Sequence, residues 1–104
     1  MELPNILSVF SLVGQVAIVT GGGRGIGRAI CIGYAEAGAH VVPVARTASD
    51  IEAVAGQIRD MGGQALPQPC DVTKTSDIDA VVKAVVERFG RVDILVNNAG
   101  GARF

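Results

Sequence analysis

Seven residues, Gly21-Gly22-Gly23-Arg24-Gly25-Ile26-Gly27, combine bare backbone with a single guanidinium. They follow the apolar run Val16-Ala17-Ile18-Val19-Thr20 and lead into a helical apolar pattern. A strand that breaks into glycines and then opens a helix offers backbone N–H groups and the positive end of a helix dipole to an anion. The chemistry this implies is capture of a nucleotide pyrophosphate. Gly21 turns the chain sharply, Gly25 lets backbone approach the ligand, and Gly27 lets the helix pack close to the sheet.

Three further polar positions fall just past apolar runs: Arg46 after Val41–Ala45, Asp71 after Ala65–Cys70, and Asn98 after Val92–Val96. The elements that must position them follow from periodicity. Val16 to Val19 is a continuous apolar run, as expected for a strand covered on both faces. Ile26 to Ala37 has helical spacing with Gly38 as its stop. Val41 to Ala45 is a second strand that carries Pro43 as a local defect, because proline cannot donate to a sheet ladder. Ser49 with Glu52, or Asp50 alone, caps a second helix with a stripe of Ile51, Val54, Ala55, Ile58 and Met61, closed by Gly62-Gly63. Ala65 to Cys70 is a third strand, weakened by Pro67 and Pro69. Ser76 with Asp79 opens a third helix with the stripe Ile78, Val81, Val82, Val85, Val86 and Phe89, ended by Gly90. Val92 to Val96 is a fourth strand.

This β-α-β-α-β-α-β order implies an α/β fold with a parallel sheet and right-handed crossovers. It reads as half of a doubly wound, Rossmann-type sheet with strand order 3-2-1-4. Ligands of such sheets sit beyond the carboxyl ends of the strands. The glycine turn, Arg46, Asp71 and Asn98 are all delivered to that edge.

Bulk composition narrows the class. The 104 residues make at most one small domain, and 49% are hydrophobic, so the chain is globular. A net charge of −1 and 4% aromatics give no reason to invoke nucleic acid. Cys31 and Cys70 match no metal or redox spacing and read as buried small hydrophobes in a reducing compartment. No segment approaches the ~20 apolar residues of a membrane helix, so a soluble cytoplasmic protein is expected. His40 reads as a surface or capping residue, and Asp77 and Asp79 as complements to a helix dipole.

Taken together, Thr20-Gly21-x-x-x-Gly25-x-Gly27, Asp71-Val72 and Asn97-Asn98-Ala99-Gly100 resemble the motifs of the short-chain dehydrogenase/reductase family, over about Leu12 to Gly100. The resemblance implies that Gly21, Arg24, Gly25, Ile26 and Gly27 hold the phosphates and adenosine ribose of a dinucleotide. It implies that Asp71 and Val72 bracket the adenine, with the carboxylate accepting from its amino group. Asn98, Ala99 and Gly100 would line the path to the nicotinamide ribose, and Asn97 would tie the central strands together. Alternative readings are turn or cap roles for Asp71 and a strand-ending turn for the asparagines. Residues 1–104 would form the N-terminal part of one NAD(P)-binding Rossmann domain.

Coenzyme choice follows from charge. An NAD site places an acid after the second strand to accept from the ribose 2′-OH. Here Val44-Ala45-Arg46-Thr47 holds no carboxylate before Asp50. Ala45 leaves nothing to repel a 2′-phosphate, Arg46 offers a fork to hold one, and Arg24 can reach the same group. NADP is therefore expected over NAD; the competing reading leaves both arginines as solvated surface residues.

The activity implied is hydride transfer between nicotinamide and a hydroxyl or keto substrate, an NADP(H)-dependent alcohol dehydrogenase or ketoreductase. That chemistry uses a Tyr acid/base, a Lys four residues later and a Ser. The single tyrosine, Tyr34, is followed four residues on by Gly38. No catalytic residue is therefore assigned, and no metal is expected. The favoured expectation is a cofactor-binding fragment of such an enzyme, a homo-oligomer at full length, inactive and prone to association alone. The alternative is a complete non-catalytic nucleotide-binding or pairing module.

Overall fold

The computed structural model describes residues 11–98. Its elements run β1 (Val16–Thr20), α1 (Gly25–Glu36), β2 (His40–Ala45), α2 (Ala48–Asp60), β3 (Gln68–Pro69), α3 (Thr75–Phe89) and β4 (Ile94–Val96). All strands are parallel in the order β3-β2-β1-β4, as alternating strands and helices require. β1 lies inside the sheet, with Val16 to Thr20 opposite His40 to Val44 on one side and Ala17 to Val19 opposite Ile94 to Val96 on the other.

Alternation along the strands sorts their side chains between two cores. Val19 and Val41 pack with Cys31 of α1 and Val54, Ala55 and Ile58 of α2. Val16, Ile18, Val42 and Val44 face the other way, onto Cys70 and Val81 and Val85 of α3. Full burial of a Val or Ile side chain contributes about 1.5–3 kcal/mol each, so these strands are held mainly by what covers their faces. Both cysteines are free and buried, as expected, and burial pushes the Cys31 thiol up to about 12.

The third strand is shorter than its expected span of Ala65–Cys70. Only Gln68–Pro69 is strand, with an isolated bridge between Ala65 and Val41. Pro43 supplies the reason. In a parallel ladder, alternate residues bond to alternate neighbours. Val41 exchanges bonds with Gln64 and Leu66, and Ala45 accepts from Cys70, so Pro43 falls on the β3 side. Its missing N–H interrupts that ladder and spares the pairing with β1.

Helix starts also differ from expectation. α2 begins at Ala48 with Thr47 as N-cap and no side-chain cap; Ser49 and Asp50 lie inside its first turn, so the capping box does not form. The Asp50 carboxylate is engaged by Arg24 instead. α3 begins at Thr75, one residue before Ser76, and Asp77 turns back to accept from the Asp71 N–H at 2.9 Å. Parts of the apolar stripes are uncovered: Met61 is exposed, and on α3 so are Ile78, Val82 and Val86. His40 is half-buried and stacks on Phe89, 5.0 Å between ring centroids.

β4 begins at Ile94 and not at Val92, because the Asp93 side chain does the work of the ladder. Its Oδ2 accepts from the buried Val16 N–H at 2.8 Å, while Asp93 N–H donates to the Val16 carbonyl. Arg91 bonds both carboxylate oxygens. The Arg91 side chain first, then the Val16 N–H, hold the Asp93 carboxyl below its ordinary 3.8. A lowered folded value means that this stabilisation is complete above pH 3.8 and is lost as pH falls through the folded value. Asp93→Asn is expected to be less stable than the parent at pH 7, and the gap should narrow below about pH 4. Denaturation midpoints in paired acid series check this; a gap independent of pH would contradict it.

Candidate functional site

The carboxyl end of β1 runs straight into the glycine turn, and α1 opens at Gly25. Gly21 has φ +65° and Gly25 φ +50°, both in the left-handed region that favours glycine. Gly27 is buried, and a Cβ there would overlap the Gly21 carbonyl oxygen. The helix mouth and the strand end therefore touch as backbone on backbone. Nothing lies within 4 Å of where a Gly25 Cβ would stand, so that stretch of backbone faces open space. Ile26, beside it, is an exposed large apolar residue at the helix mouth.

Two neighbouring strand ends are tied to this turn. Gly22 N–H donates to the Val44 carbonyl at 3.2 Å. From β4, Asn98 N–H donates to Thr20 Oγ1 at 2.8 Å, and Asn98 Nδ2 lies 3.4 Å from the Gly21 oxygen. The Thr20 hydroxyl in turn reaches the Val96 carbonyl at 3.2 Å. The tie between central strands thus runs chiefly through Asn98; Asn97 contributes a 3.4 Å contact with Thr20. Thr20 is a residue to which the motif alone assigned no task. A hydroxyl at the last position of a strand before a glycine turn is the signal that marks it. Ala99 and Gly100 lie outside the described residues.

A cavity of about 330 Å³ opens beside the turn, lined by Gly21, Val44, Ala45, Arg46, Cys70, Asp71, Val72 and Thr73. Arg46, Asp71 and Val72 are therefore brought together with Gly21, as their placement at strand ends implied. Asp71 Oδ1 accepts from Thr73 Oγ1 at 2.6 Å and Thr73 N–H at 3.0 Å, which is the turn role. Its Oδ2 has no hydrogen bond among the described residues. The Thr73 hydroxyl, then its N–H, hold the Asp71 carboxyl below its ordinary range, with a smaller contribution from Arg46. Asp71 is thus an anion at neutral pH with one oxygen available as an acceptor.

Arg24 and Arg46 are not equivalent. Arg46 lines the cavity, whereas the exposed Arg24 donates through Nε to Asp50 Oδ2 at 2.7 Å. A larger apolar groove of about 540 Å³ lies between α3 and the β1–β4 edge, touching Ile18, Val81, Val82, Val92, Leu95 and Asn97. It offers little that could hold a phosphate. The cavity beside the glycine turn, with Arg46 and Thr73 in its lining, is the better candidate for chemistry with an anion. Among the described residues no cluster of three His, Cys, Asp or Glu could hold a metal ion, and no helix is long and apolar enough to cross a membrane.

Comparison with known proteins agrees with this geometry. A family model described as short chain dehydrogenase matches residues 15–104. The chain is 44% identical over 90 residues to the 7alpha-hydroxysteroid dehydrogenase of Escherichia coli K12, covering 86% of this chain and 35% of that protein. It therefore spans about a third of the length of several curated relatives, including an uncharacterized oxidoreductase of Mycobacterium tuberculosis covered to 36%. By contrast it covers 86% of the short-chain dehydrogenase/reductase homolog YusS of Bacillus subtilis, at 43% identity over 94 residues and 89% of this chain. Among solved structures, a metagenomic short-chain oxidoreductase in complex with NADP superposes with a TM-score of 0.81 at 45% identity, over 86% of this chain and 40% of that one.

Two glycines of α1 give a matched test of the close contact. Gly27→Ala is expected to cost about 1–3 kcal/mol, because backbone must move to admit the methyl group. Gly33→Ala meets nothing within 4 Å and should stabilise the same helix by up to about 1 kcal/mol. Urea denaturation of both variants measures the difference in sign.

Proposed function

Because the chain belongs to the short-chain dehydrogenase family, we propose that its residues 1–104 form the N-terminal part of one NAD(P)-binding Rossmann domain, serving an NADP(H)-dependent alcohol dehydrogenase or ketoreductase. The observation that carries this reading is the meeting of the glycine turn with Arg46 and Asp71 at one cavity. Gly21, Gly25, Ile26 and Gly27 would hold the pyrophosphate and adenosine ribose at the mouth of α1. Asp71, through its open Oδ2, and Val72 would take the adenine. Asn98, Ala99 and Gly100 would continue toward the nicotinamide ribose.

Preference for NADP rests on what stands at the end of β2. Ala45 brings no carboxylate, and Arg46 lines the cavity, where a 2′-phosphate would accept from its guanidinium. The 45% identical metagenomic enzyme in complex with NADP supports the same choice. When bound, the coenzyme supplies a hydride carrier. The chain's own contribution is to bind and orient it, since none of the 104 residues supplies a Tyr-x-x-x-Lys acid/base pair. Tyr34 packs against the core between α1 and α2. A cytoplasmic location agrees with two free, buried thiols.

Association of the isolated chain is also expected. Leu95 is 67% exposed on β4, which among the described residues pairs with β1 alone, and the exposed Ile78, Val82 and Val86 continue an apolar surface on α3. The same coenzyme-binding features fit a second reading, a non-catalytic nucleotide-binding or pairing module, because none of the 104 residues supplies a Tyr-x-x-x-Lys pair.

The two readings share coenzyme binding and differ in what completes the site. The 104-residue chain is expected to bind NADP⁺ more tightly than NAD⁺ and to reduce neither with secondary alcohols. Arg46→Ala should weaken NADP⁺ about tenfold or more, the size of a lost charged hydrogen bond, and leave NAD⁺ within about twofold. Calorimetric titration measures both. Equal weakening of the two coenzymes would contradict the assignment of Arg46, and NADP⁺ reduction by this chain would contradict the absence of catalysis.

A further inference from the structure

Arg24 stands where a helix least favours it. It is the N-cap of α1, with extended backbone (φ −146°, ψ 159°) and no side-chain cap. N-caps prefer side chains that accept hydrogen bonds, and a cation there opposes the positive end of the helix dipole. A local rule broken in this way marks a functional constraint more often than an accident. The compensating charge comes from Asp50, in the first turn of α2, at 2.7 Å from Arg24 Nε.

The Asp50 side chain has a fixed root. The glycine turn packs directly on it, so that a Cβ on Gly23 would come within 2.7 Å of the Asp50 Cβ. The next residue, Ile51, is fully buried. Arg24, in contrast, has a side chain 79% exposed. Asp50 is the anchored partner and Arg24 the one whose position is set by the bond.

The bond engages only Nε, and neither terminal nitrogen of Arg24 has a partner among the described residues. The pair left open is the end of the guanidinium that matches two phosphate oxygens. Asp50 meets the guanidinium at Nε and not at that end, and its part-exposed carboxylate is screened in part by solvent. Four residues before Asp50, Arg46 lines the neighbouring cavity.

We propose that Asp50 is a positioning residue: it pins Arg24 by Nε so that the two terminal nitrogens are presented to a phosphate monoester on the coenzyme ribose. This rests on the NADP reading given above. The competing role is that of a rival anion, in which Asp50 withholds Arg24 from the phosphate.

Calorimetric titration of NADP⁺ and NAD⁺ into the 104-residue chain and its variants separates these. Asp50→Ala is expected to weaken NADP⁺ about three- to tenfold, the effect of leaving one rotamer-rich side chain unpinned, with NAD⁺ changed less than about twofold. Asp50→Ser, too short to reach Nε, should behave likewise and serves where the alanine variant does not fold by circular dichroism. Asp50→Asn keeps an acceptor and should stay within about twofold of the parent. On an Arg24→Ala background, Asp50→Ala should change nothing further. A parent that prefers NADP⁺, with an Asp50→Ala or Asp50→Ser variant that binds it as tightly or more tightly, overturns the positioning role alone. Equal loss of both coenzymes also overturns it, as a structural effect. A parent with no preference for NADP⁺ overturns the coenzyme reading and this inference together.

Discussion

Backbone meets backbone where Gly27 rests on the carbonyl of Gly21, and no side chain fits between them. That contact lets the first turn of α1 sit against the end of β1, which puts the helix mouth at the sheet edge and not a side chain's width away. The other parts of the candidate site are built around it. Asn98 holds the Gly21 oxygen from β4, and Gly22 bonds the end of β2. Three strand ends are therefore joined through one glycine turn, and Arg46 and Asp71 take their places from the strands they follow.

The two cores explain why this edge is well defined. Period-two alternation in β1 and β2 commits Val19 and Val41 to one face, and Val16, Ile18, Val42 and Val44 to the other. With both faces covered, a one-residue slip in register would drive each set into the wrong core. Polar latches then close the ladder where backbone alone does not. Asp93 fills the start of β1, and the Thr20 hydroxyl fills its end.

Much of this was legible in the residues. Alternation of apolar runs with helical stripes indicated a parallel sheet in the order 3-2-1-4, and strand-end placement gathered Gly21, Arg46, Asp71 and Val72. What stayed hidden depended on side chains substituting for something local pattern rules assume. Pro43 shortened β3 because ladder parity, invisible without the pairing, aimed its missing N–H at that neighbour. Asp93 replaced a ladder bond and so moved the start of β4. Asp50 looked like a helix cap and instead met Arg24, twenty-six residues away. The stripe on α3 follows the expected spacing, yet Ile78, Val82 and Val86 are left exposed, since periodicity shows which residues share a side and not how much of that side is covered.

Coenzyme binding as proposed requires the amides of the glycine turn to be placed for a diphosphate. ¹⁵N-resolved NMR of the labelled chain, titrated with NADP⁺, addresses that requirement residue by residue. The largest shifts should fall on the amides from Gly21 to Gly27, with those of Arg46 and Asp71 next and the α3 surface silent. Shifts confined to the apolar groove between α3 and β4, with the glycine amides unmoved, would contradict it.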